Sequence, residues 1–463
     1  MLNLQRQTAL EALSLSLSLS LSLSLSLSPM DDDAHASLTS PLVLSGRDDE
    51  RCESPEVAAN CDHQITTNTT TSFLKTFFNG LNALSGIGIL SVPYALASGG
   101  WLSLILLFVT AAAAFYSGLL IQRCMDVDTS IKTYPDIGEQ AFGKTGRIVV
   151  SIFMNIELYL VATAFLIIEG DNLHNLFPNM DLQLAASGFT VSGKQCFVMI
   201  AGLVVMPTVW LDNLSLLSYV SATGVFASAI ILGSIFWAGA FDGIGFHHEG
   251  SVPLNWNGIP TAVSLYVLCY CAHPVFPTLY TSMTNKRQFS NVLLLSFIVC
   301  TAGYASMAVL GYLMFGSRVE SQITLNLPTE KLSSTLAICT ILVNPLSKYA
   351  LMVTPILNAV KKRFPSHYNN NIPLSLLLST ALVISSVTVA LALPFFGYLM
   401  SLVGAFFSVT ASLIIPCVCY LKISGIYRKL GCEMVIIWCI ILIGVVIVIF
   451  GTYTSLLQIV QRL

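Results

Sequence analysis

Ionisable side chains are scarce in this sequence, because only 10% of its 463 residues are Asp, Glu, Lys or Arg. A soluble globular protein carries about 25% of them. Since 55% of the residues are hydrophobic, an ordinary water-soluble domain is excluded, and the chain must be solvated largely by lipid. The formal net charge of −3 also excludes a general binder of polyanions, so nucleic acid is not an expected partner.

The sequence also lacks the patterns of metal sites and of common active sites. Its twelve cysteines are scattered, and Cys269 and Cys271 are spaced too tightly for zinc. His247 and His248 are adjacent, so their side chains point apart, and no metal is expected. No phosphate-binding glycine loop and no nucleophile motif in a catalytic context occurs either. We therefore expect neither an enzyme nor a cofactor.

The first 71 residues differ in composition from the rest. Residues 13–28 alternate Leu and Ser without interruption, which is low-complexity sequence, and Met30 offers an alternative start. Residues 30–70 are rich in Asp, Glu, Ser and Thr, so they cannot bury enough apolar surface to fold. We expect 1–71 to be a disordered tail.

From residue 72 onward, apolar segments of about 20 residues recur, the length that crosses a hydrocarbon core. This pattern predicts an all-α polytopic membrane protein with about eleven transmembrane helices, numbered here as the first to eleventh spans. The predicted spans are 72–98, 101–123, 147–169, 194–211, 215–238, 259–283, 288–315, 332–358, 373–394, 396–421 and 433–456.

The charges of the loops predict an orientation and a repeat. Basic residues such as Lys132, Lys286, Lys361 and Lys422 follow the even-numbered spans, and positive charge stays on the cytosolic side. The N-terminus is therefore expected in the cytosol. The first five spans (72–238) and the next five (259–421) can be laid over each other, and an odd number per set puts the sets in opposite orientations. We predict a transporter domain at 72–456 with a 5+5 inverted repeat and an extra C-terminal helix at 433–456.

Two of the predicted spans are interrupted at matching positions in the two halves. The first is broken at Ser85-Gly86-Ile87-Gly88, and the sixth is broken at Ala272-His273-Pro274. A non-helical backbone inside a bilayer survives only where protein buries it or where it lines a cavity. Paired interruptions of this kind indicate the binding site of a secondary transporter.

We expect the substrate to bind at these two breaks. The amides of the half-helix after the first break suit a carboxylate, and the freed carbonyls suit an ammonium group, which together describe a zwitterionic amino acid. The alternative is close helix packing, which small residues also mediate. The candidate binding residues are Asn82, Ser85, Gly86, Ile87, Gly88 and Ile89 in the first span, and Tyr266, Cys271, Ala272, His273 and Pro274 in the sixth.

Three ionisable residues inside predicted spans are candidates for proton coupling. His273 is a candidate because a histidine side chain ordinarily titrates near neutral pH, although a neighbouring carbonyl could equally satisfy it. Lys348 either stands where a sodium ion would bind or pairs with a carboxylate, for which Glu157 is the comparably deep partner. Glu169 lies near the end of a span, where its side chain is expected to extend to the interface.

Four stretches resemble a known family. FFNGLNALSGIGILSVPYALASGGW (77–101), TYPDIGEQAFG (133–143) and CYCAHPVFPTLYTSM (269–283) are similar to three signatures of the amino acid/auxin permease family. NPLSKYALMVTPIL (344–357) resembles the pattern of its plant vacuolar amino-acid transporter subgroup. The resemblance covers about 72–456 and assigns substrate contacts only at 85–89 and 271–274, with Ala272 where many relatives have Gly.

The resemblance implies a LeuT-like fold of the amino acid/polyamine/organocation type and proton-coupled movement of amino acids. We therefore expect a secondary active transporter in the vacuolar membrane that works by alternating access. Amino acids, protons and the lipid bilayer are its expected partners. Two alternatives are a plasma-membrane symporter of the same fold and an amino-acid-sensing transceptor.

Overall fold

The computed structural model describes residues 72–178, 182–183, 190–210, 217–246, 250–361, 372–393, 395–426 and 431–461. The predicted tail 1–71 and the pair His247 and His248 lie outside these residues. The described part is helical apart from its loops and one short hairpin, in which Leu182–Gln183 pairs with Thr190–Val191. The predicted all-α class is confirmed.

Ten helices of the described residues are long and apolar enough to cross a bilayer, and a bent pair of helices makes an eleventh span. This number agrees with the prediction. Helices suit this environment because they satisfy every backbone group internally. The first span is the bent pair Phe73–Leu84 and Gly88–Gly99. The second to eleventh are Trp101–Val127, Tyr134–Leu176, Gly193–Trp210, Leu217–Phe241, Trp256–Ser282, Phe289–Phe315, Leu332–Lys361, Ile372–Ala392, Phe396–Ser424 and Cys432–Val460.

The third span begins earlier than predicted, because a short interfacial helix precedes it. Asp136 accepts a hydrogen bond from the amide of Thr133 at 2.8 Å, which stabilises the start of this helix. Gly143 then adopts φ +67°, a conformation that residues with a Cβ rarely adopt. This glycine separates the interfacial helix from the part that crosses the membrane.

The break in the first span lies where the sequence predicts it. The helix ends at Leu84 and resumes at Gly88, and the two halves are bent by 49°. Ser85, Gly86 and Ile87 lie between them. This bend turns two helix ends toward the interior of the protein at the middle of one span.

The break in the sixth span begins earlier than predicted. The helix Ile259–Cys269 ends four residues before His273, and a 3-10 turn of His273–Val275 leads into Phe276–Ser282. Pro274 disfavours the helical conformation for the residue before it. Its missing amide also leaves a carbonyl without a helical partner. The chain therefore leaves the helix one turn upstream of the proline.

The spans pack into two bodies. The first, second, sixth and seventh spans contact one another and form the first body, whereas the third, fourth, eighth and ninth form the second body. The fifth span packs against the eighth and against the first half of the first span. The first body thus contains the first two spans of each set of five, and the second body contains the third and fourth spans of each set. An internal repeat produces this grouping.

The tenth span contacts both bodies and is locally widened. Its backbone forms π-helical turns over Val403–Ser408 and Thr410–Ile414, a distortion that is frequent at functional sites. The eleventh span packs against the sixth and the tenth. We call the face reached by the loops after even-numbered spans the near face and the opposite one the far face.

Candidate functional site

The carbonyl end of the first half-helix holds a buried lysine. Lys348 of the eighth span donates a hydrogen bond from Nζ to the carbonyl of Ser85 at 3.0 Å. The preceding carbonyl, that of Leu84, accepts a hydrogen bond from the hydroxyl of Tyr304. Because a helix carries partial negative charge at its C-terminal end, the ammonium group lies where the backbone favours a cation.

The amide end of the second half-helix has free donors. The amide of Leu90 bonds to the carbonyl of Ile87 at 3.1 Å, but no described group accepts from the amides of Ile87, Gly88 or Ile89. The first amides of a helix have no partner within it and lie at the positive end of its dipole. This helix start suits an anionic group such as a carboxylate.

A narrow cavity of about 20 Å³, the space of about one water molecule, lies at this break, between the two bodies. Its polar side chains are Asn344 and Lys348, and the rest of its wall is largely apolar. The first span, the third and fifth spans and the eighth span contribute its wall: Gly86, Ile87, Ile89, Leu90, Phe165, Ile168, Ile231, Ile341, Asn344, Pro345 and Lys348. An apolar cavity with a few convergent polar groups is typical of small-molecule sites.

The two broken spans meet at this level. A Cβ on Gly88 would lie 2.5 Å from Sγ of Cys269 and 3.0 Å from its Cα, so the two backbones are in direct contact. The hydroxyl of Tyr304 lies 3.2 Å from the carbonyl of Cys269 as well as against that of Leu84. One side chain of the seventh span therefore bridges the carbonyl ends of both breaks.

The candidate residues of the sixth span lie outside the wall of this cavity. Tyr266 contacts the hydroxyl of Ser103 at 3.2 Å. Nε2 of His273 lies 2.9 Å from Oγ of Ser117 and 3.0 Å from the carbonyl of Ala114, both on the second span. Ala272 is buried beside it and Pro274 is half-buried. These side chains hold the sixth span against the second.

Cys271 faces the other way, toward the third and tenth spans. Its thiol donates to Oε1 of Glu157 at 2.9 Å, and the hydroxyl of Ser408 donates to the same oxygen at 2.5 Å. The π-helical turn of the tenth span carries this serine. Glu157 thus links the second body to the sixth-span break.

The predicted pair of Lys348 with Glu157 is wrong. Among the described residues, the ammonium bonds to the carbonyl of Ser85 and the carboxylate accepts from Cys271 and Ser408. The physical reason is that each group finds a nearer partner at a different break. A backbone carbonyl at a helix end satisfies the ammonium, and two short polar side chains satisfy the carboxyl.

Two further candidates of the first span face the fifth span. The hydroxyl of Ser85 forms a hydrogen bond with that of Ser228. Oδ1 of Asn82 is buried and has no hydrogen-bond partner within the described residues, and a Cβ on Gly224 would lie only 2.0 Å from it. The break is therefore fixed to the fifth span by polar groups as well as by packing.

Several wall residues were not predicted as site residues. Asn344-Pro345 carries a signal, since a polar residue before a proline inside an apolar span is unusual. Phe165, Ile168 and Ile231 carry none, because they are ordinary apolar residues of apolar spans. Among the described residues, no group of three or more His, Cys, Asp or Glu lies close enough to hold a metal ion.

Comparison with known proteins identifies the family. The family model for transmembrane amino acid transporter proteins matches residues 69–457. Among curated proteins of Arabidopsis thaliana, Amino acid transporter AVT1I is 61% identical over 84% of this chain and 95% of its own length. Amino acid transporter AVT1J is 62% identical over 85% of this chain and 92% of its own.

One solved structure is also similar. It is the substrate-bound outward-open state of a Na+-coupled sialic acid symporter, with a TM-score of 0.49 and 12% identity over 82% of this chain and 89% of its own.

The family match and the high identity to plant relatives confirm the family and subgroup that the sequence motifs resemble. Ten or eleven apolar spans agree with that assignment. The chain belongs to the family of transmembrane amino acid transporter proteins, which are integral membrane proteins and not enzymes.

Proposed function

We propose that this protein is a secondary active transporter that moves amino acids across the vacuolar membrane by alternating access, coupled to protons. The observation that carries the proposal is the cavity at the first break, whose wall comes from the first body, the second body and the fifth span between them. Rocking of one body against the other would open such a cavity to one face and then to the other.

The polar groups of the break match the backbone part of an amino acid. The free amides of Ile87, Gly88 and Ile89 suit its carboxylate. The apolar wall, including Phe165 and Ile341, suits an uncharged side chain. Gly86 leaves space beside the backbone, since a Cβ there would meet only the carbonyl of Leu84 at 4.0 Å, so the ligand can approach the amides closely.

Lys348 is the coupling candidate that touches the site. Its ammonium group occupies the carbonyl end of the first half-helix, where a sodium ion would otherwise be favoured. A lysine there supplies the positive charge without a bound metal ion, and it can also release and regain a proton. We therefore propose that transport does not require sodium.

His273 and Glu157 have a different position in this proposal. Both are buried, and both bond to neighbouring spans at the sixth-span break. Any proton that they exchange would act on the position of the sixth span. We propose that they couple through this span, and not through direct contact with substrate.

We further propose that the near face is cytosolic, together with the N-terminal tail 1–71, and that the far face is the vacuolar lumen. Exposed basic residues of the near face, such as Lys286 and Arg287, support this orientation. The packing of the two bodies supports the proposed repeats, 72–238 and 259–421, with 433–456 outside them.

The test is transport by the purified protein in lipid vesicles. A panel of labelled amino acids would be offered with and without an imposed pH gradient, in sodium buffer and in potassium buffer. We expect accumulation of at least one amino acid that depends on the gradient and is equal in the two buffers. A localisation experiment with a fluorescent fusion would then separate the vacuolar from the plasma membrane.

Three outcomes would contradict parts of the proposal. Uptake of no amino acid would overturn the transport function, and binding without net movement would favour the sensing alternative. Uptake that ignores the gradient would overturn proton coupling alone.

A further inference from the structure

A cluster of polar side chains lies at the far face above the cavity. We call this cluster the latch, and its members are Gln322, Asn172, Asp171 and Lys194. Gln322 lies in the loop after the seventh span and is completely buried. Its side-chain oxygen Oε1 accepts a hydrogen bond from Nδ2 of Asn172 at 2.8 Å, and its side-chain Nε2 donates one to Oδ2 of Asp171 at 2.7 Å. Asp171 in turn forms an ion pair with Lys194 of the fourth span. The loop of the first body is thus tied to the third and fourth spans of the second.

The latch covers a carboxyl group, that of Glu169, one oxygen of which has no hydrogen-bond partner among the described residues. Glu169 is only 2% exposed, so its side chain does not extend to the interface as the sequence predicts. Its Oε1 is buried and accepts a hydrogen bond from none of the residues that the structure describes. Glu169 lies one residue beyond Ile168 and one helical turn beyond Phe165, both in the cavity wall. Its place is therefore between the cavity and the latch.

Other polar atoms around this point are unpaired as well. Oδ1 of Asn172, Oγ1 of Thr324 and Oγ of Ser334 are buried, and the part of the chain that the structure describes gives them no hydrogen-bond partner. They come from the third span, the covering loop and the start of the eighth span, which pack against one another. Buried polar groups are nearly always satisfied, so four unsatisfied ones on three adjoining elements indicate a place for a polar ligand or water.

The surroundings determine the protonation of Glu169. A carboxylate that is buried without a donor or a cation costs far more than a neutral carboxyl group does. The charged groups nearby are paired, since Asp171 bonds to Lys194 and Lys348 bonds to the carbonyl of Ser85. Apart from these, the ionisable groups at the far end of the elements packed around it are His174 on its own span, Glu330 and Lys331 just before the eighth span and Cys339 within it, Cys196 on the fourth, Tyr398 on the tenth and Arg318 and Glu320 in the covering loop.

We propose that Glu169 is a site that binds a proton from the far face and releases it there. The latch around Gln322 separates this site from that compartment. While the latch is closed, the carboxyl group keeps its proton. When the loop moves away from Asn172 and Asp171, water reaches Glu169, and the carboxyl group releases its proton to that water. The inference rests on the proposed proton-coupled function and adds a site to it.

The experiment compares two activities of Glu169→Gln in lipid vesicles. Gradient-driven accumulation requires a proton to bind and leave, whereas exchange of labelled for unlabelled amino acid across the membrane does not require net proton movement. We expect accumulation to fall by about tenfold, within the usual range of coupling between two binding events. Exchange should stay within about twofold of the wild type, because Gln preserves the shape of the neutral carboxyl group.

The matched control is Glu320→Gln, which neutralises an exposed carboxylate in the same far-face loop and should leave both activities unchanged. Should Glu169→Gln fail to fold, the infrared spectrum of the wild type in heavy water provides the second measurement. We expect a protonated carboxyl band that persists at neutral pH in the wild type and shifts in Glu169→Asp, which distinguishes Glu169 from the buried Glu157.

Retention of gradient-driven accumulation by Glu169→Gln would overturn the proposal, as would the absence of a protonated carboxyl band. A wild type that accumulates substrate without regard to the gradient would instead overturn proton coupling as a whole. These results are distinguishable, because the second appears before any substitution is made.

Discussion

Lys348 carries the positive charge at the centre of the protein, and its only described hydrogen-bond partner is the carbonyl of Ser85. Replacing it with Met keeps the length of the side chain but removes the charge and the donor. The carbonyl is then left unsatisfied, which costs about 1–3 kcal/mol of stability. We also expect initial uptake to fall by about tenfold or more, which is the effect of raising the barrier by about 1.4 kcal/mol. Initial uptake rates in vesicles measure the effect.

The control for Lys348→Met is Lys422→Met, which removes an exposed lysine at the near end of the tenth span. That variant should transport like the wild type, since an exposed lysine contributes little. Normal uptake by Lys348→Met would show that the buried ammonium is dispensable.

Gly88 decides how closely the two broken spans approach each other. Ala at this position places a methyl group 2.5 Å from Sγ of Cys269. The two backbones must then separate, and overpacking of this kind costs about 1–3 kcal/mol. We expect Gly88→Ala to lose most uptake and to lower the midpoint of thermal unfolding in detergent.

Gly233 offers the matched control for Gly88. It lies within the fifth span, and a Cβ there would meet no atom of the described residues within 4 Å. Gly233→Ala should therefore keep full uptake and unfold at an equal or higher temperature, because Ala favours a helix over Gly. Equal effects of the two substitutions would contradict the close contact.

Tyr304 joins the carbonyl ends of both breaks through one hydroxyl group. Tyr304→Phe removes that group and little else. Two carbonyls then lose a donor at the point where the broken spans meet, so we expect a reduced maximal rate of uptake together with about 1–3 kcal/mol less stability. The measurements are uptake kinetics and thermal unfolding.

Tyr349→Phe is the control for Tyr304→Phe. Tyr349 is also fully buried, and its hydroxyl bonds to Ser386 within the second body, away from the breaks. Tyr349→Phe should lose a similar amount of stability but keep the maximal rate of uptake. If both variants lost transport in proportion to stability, the bridge between the breaks would have no specific role.

The spans and their interruptions follow directly from the sequence, because hydrophobic length and backbone chemistry are local properties. Gly86 and Pro274 each predict a break without any knowledge of the tertiary structure. The partner of Lys348 does not follow, since the choice between Glu157 and a backbone carbonyl depends on which spans become neighbours. The wall residues Ile168 and Ile231 are equally hidden, because an apolar side chain that lines a cavity looks like one that faces lipid.

The burial of Glu169 is hidden for the same reason. From the sequence, a glutamate near a span end should extend to water. The covering loop with Gln322 and Thr324, both fully buried, removes that water. A loop that folds back over a helix end makes a tertiary contact, and the hydropathy along the chain does not predict such a contact.

The two bodies must move relative to each other if the protein works by alternating access, and the Ser85–Ser228 contact tests this. The hydroxyls of Ser85 and Ser228 are hydrogen-bonded and join the first-span break to the fifth span. Cysteines at both positions can form a disulfide, because bonded serine hydroxyls bring the two Cβ atoms close. We expect oxidation to abolish uptake and reduction to restore it.

The control pair is Ser401→Cys with Ser455→Cys, whose hydroxyls lie 2.8 Å apart between the tenth and eleventh spans. The eleventh span lies outside both bodies, so a disulfide there should leave uptake largely unchanged. Each single cysteine variant should also be insensitive to oxidation, which excludes reaction with native thiols such as Cys269. Undiminished uptake by the fully cross-linked Ser85–Ser228 variant would mean that the first-span break and the fifth span move as one unit, and the movement would then have to occur elsewhere.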